Sequence, residues 1–331
     1  MSRAEQSRAE RKFDMIDFVK LLMAIGVVGI HSGVIGLQTL GRLGVPFFLI
    51  TSSYFFFTKF DFNSNSYLKK YLKRIFLLYM SWQILFTPLL VMQFKEDLSG
   101  YHSIINILKQ LFELLAFGKH NGWGQSWYLL AILYGLPILI YLLRRIPIAI
   151  LSVLFISIEI YFIFTQGYYM FLPSSILIFS PLTTVRALPY LFLGYLLVTK
   201  SKNIEQVNNR KYTYIMVVLL ILFIFENIFI QIFLDGISTA EEVFLTMPTA
   251  LVIFIWSISS RLKFQFALFF RNFSTFLYVI HKAIISFIVR MNIFEQEILV
   301  FLLTLFTSII LYFIFIQIKK KVNWPLLGYL V

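Results

Sequence analysis

The sequence predicts an all-α polytopic membrane protein, with about ten transmembrane helices in one bundle. Three observations carry that prediction. The 331 residues are 59% hydrophobic and only 14% charged, with a mean hydropathy of +0.82; such values exclude a soluble domain. Apolar segments long enough to cross a bilayer recur along the chain. Between them, Lys and Arg gather in alternate connections, the pattern by which a multi-pass chain sets its orientation. The net charge of +13 therefore reads as topology plus attraction to anionic lipid heads, and no nucleic-acid partner is expected.

In chain order, residues 1–12 are polar and lack a small-residue cleavage site, so a retained cytoplasmic tail is expected there. A membrane domain over 13–318 follows. Its spans fall near 14–34, 41–58, 72–94, 126–143, 147–165, 183–199, 212–234, 241–259, 272–290 and 297–318. Pro46, Pro88, Pro137, Pro189 and Pro248 interrupt several of them and blur their boundaries. The connection over 93–124 contains Ile104 to Phe117, with apolar residues at helical spacing. It is too short and too charged to span, so an interfacial helix is expected. Residues 319–331 read as a second cytoplasmic tail. Most of the 29 basic residues mark one side: Arg3 to Lys12, Lys59 to Arg74, Arg144 and Arg145, Lys200 to Lys211, Arg261 to Arg271, and Lys319 to Lys321. The stretch 166–182 has none and 235–242 has only acids. An even number of spans with both termini cytoplasmic follows.

Cysteine is absent, which excludes a disulfide framework, a thiol nucleophile and a Cys-based metal site. His102 and His120 are not spaced as ligands, and no metal is expected. No glycine-rich phosphate loop or Walker-type motif occurs, so neither ATP-driven transport nor a phosphate-loop enzyme is supported.

The chemistry concentrates in the first span. Lys20 and His31 are eleven residues apart, almost three whole turns, so they share a helix face about 16 Å apart along the axis. Ionisable groups within a span face a bundle interior or a wet cavity. A cavity running from the cytoplasmic side toward His31 is therefore expected. A neutral imidazole there can take the proton of a sugar hydroxyl as a general base. Asp17, one turn before Lys20, is placed to pair with it. The cluster Lys69-Lys-Tyr-Leu-Lys-Arg74 opens the third span. Lys69, Lys70, Lys73 and Arg74 suit phosphate oxygens, although by counting alone stop-transfer and lipid-head contacts explain them better; the two roles are compatible. The remaining polar groups in the spans are Ser52, Glu159, Arg186, Glu226, His281 and Lys282. His281 is placed to hydrogen-bond to the first span or to act as a second acid/base. Glu159 and Glu226 are each isolated in sequence and suggest proton-relay groups only weakly.

These residues resemble the acyltransferase-3 family of integral-membrane acyltransferases. Lys20 to His31, preceded by Ile16-Asp17, resembles the family's basic residue followed by ten residues and His. Val45-Pro-Phe-Phe-Leu-Ile-Thr-Ser52-Ser53 resembles the segment that ends Phe-Phe-x-x-Ser-Gly, with Ser53 where Gly is usual. Lys69 to Arg74 resembles the basic cluster of the third span. Trp127-Tyr-Leu, Leu193-Gly194 and Leu277-Tyr-Val-Ile-His281 resemble three further motifs, in family order.

The resemblance implies transfer of an acyl group, most often acetyl, from cytosolic acyl-coenzyme A to a cell-envelope or capsular glycan, or a lipid-linked sugar, outside a bacterial plasma membrane. His31 would be catalytic, while Lys20, Lys69, Lys70, Lys73 and Arg74 would hold the coenzyme A phosphates. Asp17, Ser52, Trp127 and His281 would support them. Acetyl-coenzyme A would be a substrate, with no permanently bound cofactor. The competing expectation is a transporter of polysaccharide or a small polar solute, with Glu159, Glu226 and Arg186 along its path. A membrane scaffold without catalysis is a third.

Overall fold

Helix α1 (Asp14–Ser32) carries Asp14 and Asp17 in its first turn, where carboxylates suit the positive end of the helix dipole. It stops at Gly33, whose φ of 86° is a left-handed cap that a glycine adopts without a Cβ penalty. The Val34 N–H then bonds the Gly29 carbonyl at 3.2 Å. The short α2 (Leu37–Gly41) turns the chain back into α3 (Gly44–Phe57). That reversal needs backbone against backbone. A Cβ on Gly41 would lie 2.3 Å from the Gly26 oxygen, and one on Gly26 would lie 2.9 Å from the Gly41 Cα. Gly41→Val is therefore expected to cost about 3 kcal/mol through overpacking. An unchanged unfolding temperature in detergent would contradict the close approach.

The computed structural model describes residues 13–98, 104–117, 126–172, 183–200, 204–233, 242–291 and 296–322. The other helices are α4 (Ser66–Leu98), α5 (Ile104–Phe117), α6 (Trp127–Arg145), α7 (Ile148–Gln166), α8 (Thr183–Lys200), α9 (Asn209–Phe233), α10 (Thr246–Ser259), α11 (Ala267–Arg290) and α12 (Glu297–Lys321). No strand occurs among the described residues. The fold is all-helical, as the sequence predicts. The termini at 1–12 and 323–331, and His102 and His120, lie outside the described residues.

Among the described residues, seven segments are long and apolar enough to cross a membrane: α1, α2 with α3, α6, α7, α9, α11 and α12. α8 and α10 are apolar but shorter. α4 runs 33 residues and begins in the basic cluster. The count of about ten is thus approximate. The difference at α10 has a local cause. Glu226 on α9 accepts the Phe244 N–H at 2.9 Å and the Leu245 N–H at 2.8 Å, and the Tyr168 hydroxyl donates to it at 2.7 Å. This carboxylate satisfies the amides ahead of Thr246 outside the helix. Glu226 is a structural acceptor, which its isolation in the sequence conceals.

α5 forms a separate 14-residue helix over the segment where an interfacial helix is expected. Ile105 and Phe112 are 74% and 62% exposed, and the Tyr134 hydroxyl ties α5 to α6 by donating to the Leu115 carbonyl at 3.0 Å.

The centre of the bundle is built on two close pairings. α3 packs on α8 at Gly194, where a Cβ would lie 2.6 Å from the Ser53 Cβ. The Ser53 hydroxyl donates to the Leu191 carbonyl. Serine in place of the usual glycine is accommodated because the facing helix supplies the small residue. α1 packs most extensively on α11, and the two run parallel. Asp14 meets the Phe264 amide, Asp17 meets Arg271, and His31 meets His281 in order along them. The ionisable groups of two distant sequence segments thereby come onto one seam.

Candidate functional site

At the basic end of the α1–α11 seam, Asp17 is 3% exposed and divides its two oxygens. Oδ2 accepts from Arg271 Nε at 2.9 Å and Nη2 at 2.8 Å. Oδ1 faces Lys20 Nζ at 3.9 Å. The main partner of Asp17 is Arg271, and the Lys20 pairing expected from the sequence is the longer of the two. Arg271 escapes notice in the sequence because it is counted among the basic residues that set topology. Asp14, 2% exposed, accepts the Phe264 N–H at 3.0 Å and fixes the approach to α11.

Lys20 is half-buried, with its ammonium 5.9 Å from the Phe55 ring centroid, and the charge on Arg74 reaches it. The start of α4 is held here by Tyr67 and Tyr71, whose rings lie 5.5 and 5.1 Å from that of Phe56. Lys69, Lys70, Lys73 and Arg74 are exposed and form no ion pair among the described residues. Unneutralised cations side by side repel one another and favour a polyanion.

A chain of aromatic contacts leads from that end toward the histidines. The Ser52 hydroxyl lies 2.9 Å from the Tyr128 hydroxyl and near that of Tyr71. The Tyr128 ring lies 5.5 Å from Tyr278, which lies 6.2 Å from His281. Tyr71, Tyr128 and Tyr278 were not singled out in the sequence, although each sits inside one of the quoted motifs. The signal was present but read as motif spacing.

The His31 and His281 rings stack at 5.1 Å with an interplanar angle of 30°. His31, in the last turn of α1, is exposed. His281 is 0% exposed, and its Nδ1 lies 3.1 Å from the Leu277 carbonyl. A carbonyl only accepts, so in the neutral ring Nδ1 carries the hydrogen and Nε2 is a bare acceptor. Nε2 has no partner among the described residues. The contact of His281 with the first span is a ring stack rather than the hydrogen bond considered from sequence.

Trp127 stands apart from these contacts. The Arg186 guanidinium lies over its ring at 4.8 Å, and Arg186 Nε is 3.1 Å from Glu242 Oε1. The Tyr190 hydroxyl lies 2.8 Å from Glu159 Oε1 and close to Glu242 Oε2. Glu159, Arg186, Glu242 and Tyr190 thus form one internal network joining α7, α8 and the approach to α10. Such a network pairs most of its charges internally, while Glu159 Oε2 is buried with no hydrogen-bond partner among the described residues.

A family model described as an acyltransferase domain, that of the acyltransferase-3 family, matches residues 13–317. No curated protein and no solved structure matches the chain.

Proposed function

The chain belongs to the acyltransferase-3 family, a multi-pass membrane protein with acyltransferase activity, and we propose that it moves an acyl group, acetyl in the first instance, from cytosolic acyl-coenzyme A to a hydroxyl of a cell-envelope glycan on the other side of the plasma membrane. The observation that carries this reading is the order of groups along the α1–α11 seam. Lys20 and the α4 cations stand at one end, and exposed His31 at the other, joined by the tyrosine contacts. One extended donor fits that order, with its phosphates on the cations and its thioester beside His31.

The step balances without a further reactant. A ring nitrogen of His31 takes the hydroxyl proton, and the acceptor oxygen bonds the acyl carbon. The carbon–sulfur bond breaks, and the proton passes to the departing coenzyme A sulfur. His281 packs against the His31 ring and limits its rotation. Tyr128 and Tyr278 line the route of the acyl arm.

Lys70→Ala/Arg74→Ala is expected to weaken acetyl-coenzyme A binding by about tenfold or more, from loss of charge-assisted contacts to phosphate. The chain should still insert and purify as a folded protein. Unchanged donor affinity would remove the cluster from the site. Orientation has its own test, since the chain has no cysteine of its own. Cysteines introduced at Asn208 and Gly236 should label from opposite sides, with Asn208 cytoplasmic; labelling of both from outside would overturn the topology.

A further inference from the structure

We infer that the acceptor bears an anionic group, a carboxylate or phosphate on or beside the sugar, and that Lys282 and Arg42 receive it next to His31. The inference rests on the acyl-transfer reading above and adds a substrate class to it.

Two cations stand where topology does not call for them. Basic residues gather at the end of the bundle where α1 begins and α4 opens. Arg42 follows α2, at the opposite end, and Lys282 lies eight residues before the end of α11 at Arg290. The rule that concentrates basic residues on one side works against cations in that half. A lysine inside a span is costly and stays where something anionic or aqueous receives it. Lys282 follows His281, whose ring stacks on His31 at 5.1 Å, and Arg42 follows Gly41, which packs against Gly26 of α1. Lys282 is half-buried and forms no ion pair among the described residues. It adjoins His281, whose fully buried Nε2 is the unpartnered acceptor described above.

The nearby acid is Glu297. Its carboxylate packs beside Gly33, in the first turn of α12, where the helix dipole stabilises it. Two cations and one carboxylate thus flank the exposed histidine among the described residues. A compact ammonium and a planar guanidinium together suit an oxyanion. An acceptor with its acid close to the reacting hydroxyl satisfies both. The competing role for Lys282, stabilising the charge that develops on the acyl oxygen, acts on every acceptor equally and is separable by experiment.

The test measures binding to full-length protein in nanodiscs, with glucose, glucuronic acid and glucose 1-phosphate as probes and acetyl-coenzyme A binding in parallel. One or both charged sugars should bind about tenfold or more tightly than glucose. Preference for glucuronic acid points to an acidic sugar residue, and preference for glucose 1-phosphate to a phosphate-linked one. Lys282→Met and Arg42→Gln should each reduce that preference to near unity while leaving donor affinity unchanged. Equal binding of all three probes, no binding of any at millimolar concentration, or variants that keep the preference would overturn the inference. Donor binding that is absent from the wild-type protein would instead defeat the acyl-transfer reading on which it rests. Equal loss of transfer to charged and neutral acceptors in Lys282→Met, with no charge preference in the wild type, would assign Lys282 to the acyl oxygen and overturn the acceptor class.

Discussion

His31→Ala is expected to lower the rate of acyl transfer by about 10²–10⁴-fold, the usual worth of a positioned general base. A sugar hydroxyl is almost wholly un-ionised near neutral pH, so its attack on a thioester needs a group to take the proton. His31 is the exposed imidazole of the α1–α11 seam, and His281 beside it is fully enclosed. Donor affinity should stay within about twofold, because Lys20 lies about 16 Å away along α1 and none of the basic-end contacts involve His31. Single-turnover transfer from labelled acetyl-coenzyme A, measured beside equilibrium donor binding, separates the two effects. His281→Ala should reduce the rate less, since it removes the ring stacked on His31 and not the base. Near-normal transfer by His31→Ala would remove the mechanism.

The second large effect falls on stability at the basic end, and its sign is asymmetric. Arg271→Ala leaves the Asp17 carboxylate buried, with only Lys20 at 3.9 Å to balance it. Removing one partner of such a pair costs about 3–5 kcal/mol when the remaining charge is enclosed. Asp17→Ala leaves Arg271, whose side chain is 38% exposed and can turn toward water, so the cost should be about half as large. Thermal unfolding of both variants in the same detergent checks the order. Arg271→Ala should have the lower midpoint and the lower yield. The reverse order would show that Asp17 matters mainly for holding cations. Asp17→Ala should also weaken donor binding, because it frees Lys20 from its present position.

The helical class, the membrane environment and the His31–Lys20 face are legible in the sequence because they depend on local periodicity and on charge placed against an apolar background. Pairing between distant segments does not depend on periodicity, which is why Arg271 went unnoticed as the partner of Asp17. Nothing in the residues around 271 marks it apart from other basic residues at span ends. Glu226 and Glu159 each look isolated because their partners come from other helices: backbone amides before α10 for the first, Tyr190 of α8 for the second. Trp127 stands in a segment that resembles a family motif, and its contact with Arg186 comes from a distant helix that the motif does not name. The short α10 illustrates a further limit. Its apolar run continues upstream in sequence, and only the carboxylate on α9 shows why the helix begins at Thr246.

In the proposed function the chain esterifies a glycan outside the membrane, with His31 as the base that makes the reaction possible. The most direct measurement is the content of base-labile acyl esters on envelope glycans from cells lacking the gene, cells restored with the wild-type chain, and cells restored with His31→Ala at matched membrane levels. The account predicts esters in the wild-type restoration alone. Esters at wild-type level in the His31→Ala cells, or an unchanged ester content when the gene is absent, would contradict it.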